Sequence, residues 1–223
     1  MEYRLDRIPR EQTLHYLGWH GGKLPAEIED SLSRCEALLL SAAKPRIVWK
    51  LFAYREDGSF AGTDYTPDGQ DIRAFLRGCE QVVLLAATLG IETEALIRRA
   101  QTRDMGEAVM LDAAGSAAIE ALCDSFCAEL GKELSPCCLT ERYSPGYGDY
   151  PLSEQRAIFR LLDVSRRIGV SLSDSGLMIP QKSVTALIGV SKRPIPKQRT
   201  GCEVCQLRGS CAFKKEGKHC GKT

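Results

Sequence analysis

The sequence predicts an α+β fold, with helices packed on a sheet rather than alternating with parallel strands. Three observations carry this. The stretch Gly106–Leu130 is rich in alanine and sets Leu111, Ala114, Ala118, Ile119, Leu122 and Phe126 along one helical face. Two compact apolar runs of strand length, Gln81–Ala87 and Ser183–Val190, lie on either side of that helix. The helical and strand segments do not follow each other in strict alternation, as a doubly wound sheet requires.

The elements follow in order. Pro9–Leu17 reads as a short helix. Pro25–Ala43 is a longer one, with Pro25 at its start and Ile28, Leu32, Leu38 and Leu39 at helical spacing. Arg46–Tyr54 and Ser59–Tyr65 read as a β-hairpin around Asp57-Gly58, a strong two-residue turn signal. Asp71–Arg77 and Thr93–Ala100 read as helices, and Gln81–Ala87 as a buried strand. The small residues Ala113–Ala118 leave room for another backbone to approach the long helix. Pro136–Pro151 reads as loop, broken by Pro145, Gly146, Gly148 and Pro151. A helix starts at Ser153 and ends at Gly169. Val170–Leu172 and Ser183–Val190 read as strands. Residues 1–191 form one domain, and 192–223 a basic, cysteine-rich tail.

Charge separates the same two parts. Of the net +1, residues 192–223 carry +7, from nine Lys/Arg against two Asp/Glu, which leaves −6 on the remainder. A basic tail on an acidic body indicates a separate task for the tail. The longest apolar run, Val82–Ala87, is far too short to cross a bilayer. The charged start MEYRLDRIPREQ lacks the apolar core of a secretory signal, so the expectation is a cytoplasmic protein with no membrane partner. Ten cysteines are many for such a chain, and the lack of a secretory signal argues against a disulfide framework. Cys35, Cys79, Cys123, Cys127, Cys137 and Cys138 read mostly as small buried apolar residues.

The segment Arg142-Tyr143-Ser144-Pro145-Gly146-Tyr147, followed by Pro151, is chemically distinctive. Pro145 fixes one torsion and Gly146 permits a tight approach. Such a loop can offer backbone N–H and C=O groups to a ligand while the Arg142 guanidinium grips a carboxylate in a two-point fork. A methionine-like or nucleoside ligand suits it, with Tyr147 as the neighbouring aromatic. Taken alone, the segment reads first as a rigid surface turn with a solvated arginine.

The segment resembles the Arg-x-x-Pro-Gly-Tyr-x-x-x-Pro loop of the activation domain of cobalamin-dependent methionine synthase, with Arg142, Pro145, Gly146, Tyr147 and Pro151 matching. A second run, Ile168–Val184, is similar to that family's Gly-x-x-Leu-x-Glu-Ser-x-x-Met-x-Pro-x-x-Ser-Val stretch, with Asp174 where an acid is expected. The alanine-rich helix with Glu120 is a third, weaker likeness. The resemblance implies a twisted, mainly antiparallel sheet with packed helices, and a domain that binds S-adenosylmethionine. It implies that Arg142 holds the methionine carboxylate and that the backbone at Ser144 touches the adenine or nearby atoms. Glu120 is then expected beside the ammonium or sulfonium, or else is a solvated helix residue. Asp174 and Ser175 read as a strand-end turn held by side-chain hydrogen bonds.

The chain also departs from the family. It has no length for the enzyme's own cobalamin, homocysteine and folate modules, and the tyrosine-rich segment after the Ser-Val strand is replaced by the basic linker and the cysteines. The resemblance therefore implies an accessory activator without independent turnover. Its partner would be a cobalamin-binding methyltransferase or another corrinoid protein, with cobalamin carried by that partner and an electron-donor protein as a further partner.

The tail spacing is Cys202-x2-Cys205-x5-Cys211-x8-Cys220. Four thiolates can hold an iron–sulfur cluster or a tetrahedral zinc, and the spacing fixes neither. His219 is an alternative ligand to Cys220, and free thiols in a disordered tail are the reading without metal. A low-potential cluster would supply the electron that reductive methylation of inactive cobalamin requires. Two rival functions bear on the same residues. A basic, zinc-stabilised interaction or nucleic-acid-binding module fits the tail's charge, but Phe213 is its only aromatic, which disfavours nucleic acid. An ordinary S-adenosylmethionine-dependent methyltransferase requires a glycine-rich loop after a first strand, and none is present.

Overall fold

A computed structural model describes residues 5–19, 21–195 and Gly209. The main sheet has four strands, β1 (Arg46–Ala53), β2 (Gln81–Thr88), β3 (Cys138–Leu139) and β6 (Ser183–Ser191). Their spatial order is β1-β2-β6-β3, and every neighbouring pair is antiparallel. A separate pair joins β4 (Ser171–Leu172) to β5 (Met178–Ile179). The helices are α1 (Arg10–Tyr16), α2 (Ala26–Ala42), α3 (Gln70–Phe75), α4 (Ile91–Gln101), α5 (Met105–Glu133), α6 (Gln155–Leu162) and α7 (Val164–Ile168). The fold is α+β, with an antiparallel sheet and packed helices, as the sequence predicts.

Strand β2 is central, with β1 on one side and β6 on the other, and helices cover both of its faces. This explains its unbroken apolar run, since alternate side chains meet different helices. Val83, Leu85 and Ala87 pack with Ile188, Val190 and the apolar sides of α2, α4 and α5. Val82, Leu84 and Ala86 pack with Val48, Phe52, Leu187 and residues of α3, α6 and α7. The register sets Leu84 opposite Lys50 on β1 and opposite Leu187 on β6.

The long helix forms as expected and extends a little further at both ends. Asp104 caps it, accepting from the N–H groups of Gly106 at 2.8 Å and Glu107 at 3.2 Å. Leu111, Ala114, Ala118, Ile119, Leu122 and Phe126 are all buried. Its small stretch admits the Lys182 side chain: a Cβ on Gly115 would lie 3.1 Å from Lys182 Cε.

Several expectations need correction. The β1 hairpin forms only as a short stub, and Ser59–Tyr65 is not a strand. The Asp57-Gly58 turn is present, with Gly58 at φ +85°, but pairing across it is confined to the Tyr54–Phe60 bridge and the flanking backbone bonds from Arg55 to Ser59 and from Ala61 to Ala53. Phe60 is fully buried among Phe52, Tyr54 and Tyr65, so the chain folds inward instead of running beside β1. The partner of β1 is β2 instead. The segment Pro136–Pro151 is not wholly loop, since β3 and the Tyr143–Leu187 bridge attach it to the edge of β6. The helix expected from Ser153 to Gly169 is two helices. Leu152–Glu154 is a 3-10 turn, α6 begins at Gln155, and Asp163 at φ 51° breaks the path before α7. Ser153 therefore does not cap a helix. Gly169 ends α7 in the left-handed conformation, as its sequence position predicts.

Cys35, Cys79 and Cys123 are buried, whereas Cys127, Cys137 and Cys138 are partly exposed, and all six are free thiols. Cys202, Cys205, Cys211 and Cys220 lie outside the described residues, as does the tail as a separate domain. No helix among the described residues is long and apolar enough to cross a membrane.

Candidate ligand site at the Arg142 loop

The loop from Thr140 to Tyr150 is built on the edge of β6. Thr140 donates its N–H to Gly189 O, and Tyr143 and Leu187 exchange backbone hydrogen bonds at 2.9 and 2.8 Å. The chain then turns tightly. Gly146 N–H donates to Tyr150 O at 2.8 Å, and Tyr147 N–H donates to Ser144 O at 3.2 Å. Gly146 at φ +94° needs the freedom of glycine. Pro145 and Tyr143 point inward and are buried, while Gly146 and Tyr147 face solvent.

Two contacts hold the turn from below. Asp149 caps α3 from outside that helix, its carboxylate accepting from the N–H groups of Gln70 and Asp71 at 2.6 and 2.9 Å. Asp71 returns the bond by accepting from Asp149 N–H at 3.2 Å. Deeper in, the hydroxyls of Tyr65 and Tyr150 meet at 2.7 Å in a buried pair.

Arg142 turns from this loop onto α5. Its Nη2 donates to Glu120 Oε2 at 2.7 Å and its Nη1 to Asp124 Oδ1 at 2.8 Å. The same Nη1 lies 3.6 Å from the Cys127 thiol. Burial opposes the guanidinium charge, but the Cys123 and Cys127 sulfurs and the Asp124 carboxylate outweigh it and raise the Arg142 pKa above its ordinary value. Arg142 is therefore a cation at any working pH. The Arg142 side chain is 17% exposed, Glu120 30% and Asp124 47%, so the cluster is half-sunk with an open carboxylate flank.

The structure thus brings together two of the residues singled out in the sequence, Arg142 and Glu120, from segments 22 positions apart. The backbone of Ser144, Pro145 and Gly146 forms the adjoining turn, and Tyr147 stands 65% exposed beside it. Three members were not foreseen. Asp124 and Cys127 follow Glu120 along α5, and spacing from Glu120 was the available signal for Asp124. Tyr16 ends α1, which packs on α5. Its pKa is raised, first by burial and then by the Glu120 charge, while Arg142 works in the opposite sense. Tyr16 thereby belongs to the same electrostatic neighbourhood, and it is an exposed aromatic like Tyr147.

The second motif forms a different structure. Ser173 and Ser175 share a hydroxyl hydrogen bond, Ser173 Oγ accepts from Leu177 N–H, and Asp174 O accepts from Arg156. This is the strand-end turn its composition predicts. Further on, Lys182 pairs with Asp112 at 2.8 Å and donates to Ser116 at 2.9 Å. Asp112, Ser116, Glu120 and Asp124 recur at four-residue spacing, so α5 presents one polar stripe, met by Lys182 at one end and Arg142 at the other. Among the described residues no group of three or more His, Cys, Asp or Glu side chains is placed to hold a metal ion.

Comparison with known proteins bears on the segment that carries this loop and on the fold. Residues 138–194 match the family model described as "Vitamin B12 dependent methionine synthase, activation domain". A search of curated proteins finds no match. Among solved structures, the chain is similar to a crystal structure of the MetH reactivation domain bound to AdoHcy, with a TM-score of 0.53 and 17% sequence identity, covering 98% of this chain and 90% of that one. Residues 138–194 thus carry a sequence pattern similar to that family's, and the described chain shares the fold of the reactivation domain.

Proposed function

We propose that this protein binds S-adenosylmethionine at the Arg142 loop and serves as the reactivation module of a cobalamin-dependent methyltransferase, with methionine synthase as the reference case. The observation that carries the reading is the meeting of Arg142 with Glu120 and Asp124 beside the exposed Tyr147. A reactivation-domain structure of the same fold holds AdoHcy, the demethylated product of this ligand, which supports the choice.

The side chains suit the ligand's charges. Its carboxylate pairs with Arg142, displacing one of the two carboxylates now on the guanidinium. Its ammonium and sulfonium are cationic and pair with Glu120. Tyr147 offers a ring face to the adenine, and the polar backbone of Ser144–Gly146 offers hydrogen bonds to its edge. When bound, S-adenosylmethionine supplies a methyl group to reduced cobalamin carried by a separate partner protein. This chain binds and orients the donor and has no turnover of its own.

On the same reading the reaction takes place in the cytoplasm and needs an electron from a donor protein. Cys202, Cys205, Cys211 and Cys220 hold an iron–sulfur cluster that relays it, with a structural zinc as the alternative. An anaerobic preparation tests the tail: iron, sulfide and a visible chromophore are expected, and a colourless protein with one zinc per chain refutes the relay.

Calorimetric titration with S-adenosylmethionine tests the site. Saturable binding by the wild type and a loss of at least about tenfold in Arg142→Ala are expected, equivalent to about 1.4 kcal/mol. Absence of binding by the wild type removes the function. Unchanged affinity in Arg142→Ala keeps the ligand and removes the site.

A further inference from the structure

A second concavity lies apart from the Arg142 loop, at the end of the sheet where β1 stops, β2 begins and β6 ends. It is a cleft of about 910 Å3. Its wall includes half-buried Tyr54 and buried Leu76 and Cys79. Four arginines from separate stretches of chain converge on it: Arg55 after β1, Arg73 on α3, Arg77 just beyond α3, and Arg193 just beyond β6. Among the described residues, none of these four guanidinia forms an ion pair, in contrast to Arg10, Arg98, Arg142, Arg160 and Arg166.

Three acids, Glu56, Asp57 and Glu80, share the lining with the four arginines and leave it a formal charge of +1. The Asp57 carboxylate accepts from Ser59 N–H at 2.8 Å within its own turn. Glu80 accepts from Lys192 N–H at 3.0 Å. Both carboxylates remain charged but are turned to backbone donors, so neither forms a direct ion pair with the four guanidinia. The body of the chain is acidic as a whole, so this grouping runs against its overall charge. A cleft of this size falls within the roughly 300–1,000 Å3 usual for small-molecule sites. Guanidinium forks match clustered anionic oxygens in geometry as well as charge.

We propose that this cleft is a second ligand site, for a small polyanion with clustered phosphate or carboxylate oxygens. Arg73 and Arg77 hold one anionic group from the α3 side, and Arg55 and Arg193 close on the other from the strand ends. The site shares no residue with the Arg142 loop, so it does not depend on the function proposed above.

Calorimetric titration of the full chain with tripolyphosphate and with citrate, at constant ionic strength set by KCl, tests it. A saturable one-site isotherm is expected for at least one of the two. Tighter tripolyphosphate binding identifies a phosphorylated ligand, and tighter citrate binding a polycarboxylate. The double variant Arg73→Ala/Arg77→Ala is expected to lose at least about tenfold in affinity, or about 1.4 kcal/mol. Arg99→Ala/Arg103→Ala, on and beyond α4, is expected to bind as the wild type does. All the substituted arginines of the cleft are exposed, so the variants retain the fold, which circular dichroism checks. No saturable binding of either anion overturns the proposal. So does equal affinity in Arg73→Ala/Arg77→Ala, which would move the anion to the basic residues beyond the cleft.

Discussion

At the scale of single residues, Arg142 holds two carboxylates at once, one on each terminal nitrogen. An incoming ligand carboxylate has to take one of these places, and Asp124 is the more exposed of the two. An exposed ion pair contributes about 0.2–1 kcal/mol, so releasing Asp124 costs little. Asp124→Asn is therefore predicted to tighten S-adenosylmethionine binding about two- to fivefold, measured by titration beside the wild type. Weaker binding in Asp124→Asn would mean that Asp124 itself holds the ligand. Arg142 and Glu120 were legible in the sequence because each belongs to a family-like segment. Asp124 had only its four-residue spacing from Glu120 as a signal, and Cys127 and Tyr16 had none, since no local spacing reports which face of α5 meets a loop and a helix far away along the chain.

At the scale of elements, the loop depends on α3. Asp149 gives the helix its N-terminal cap from another part of the chain, and the two bonds are also the loop's anchor. Asp149→Ala removes both and is predicted to destabilise the protein by about 1–2 kcal/mol, the usual value of a cap. Urea unfolding measures the stability, and a parallel loss of ligand affinity is expected because the turn at Gly146 loses its support. Gly148 is a second check on the same joint. It sits at φ +54°, and a Cβ there would meet the Asp71 carboxylate and lie 2.5 Å from the Tyr143 hydroxyl. Gly148→Ala is accordingly predicted to lower the melting temperature while leaving helix content unchanged, and a wild-type melting temperature would show that Asp71 and Tyr143 move aside freely. These cross-chain joints explain what the sequence concealed. The 3.6-residue pattern of α5 and the apolar runs of β2 and β6 are local signals, and all three elements form close to their expected bounds. The partner of β1 is a tertiary choice, made because Phe60 gains more by joining Phe52 and Tyr65 in the core than by extending a hairpin.

At the scale of the whole molecule, both halves of the core bury groups that can ionise only at cost. Burial pushes the thiols of Cys35 and Cys79 up to about 11 from an ordinary value of 9.0. Tyr143 is pushed up to about 12, and Tyr65 and Tyr150 also lie above the ordinary phenol value, again first through burial. Each group is neutral when protonated, so a raised folded pKa means that the folded protein binds its protons more tightly than the unfolded chain does. The stabilisation is then complete below the unfolded pKa values and is lost as pH rises through the folded ones. The thiols open that window near pH 9 and the phenols extend it from about 10 upward. Urea unfolding from pH 7 to 11.5 is predicted to show level stability to about pH 8.5, from these groups, and a progressive fall above it. Tyr65→Phe removes one titrating phenol and is predicted to make the fall above pH 10 less steep, although it lowers stability at pH 7 by breaking the bond to Tyr150. Stability that stays level to pH 11.5, or an equal slope in Tyr65→Phe, would show that the core admits water to these side chains. The packing that seats the Arg142 loop over Tyr143 and Tyr150 is the same packing that keeps their phenols protonated, so loop order and alkaline stability are expected to fail together.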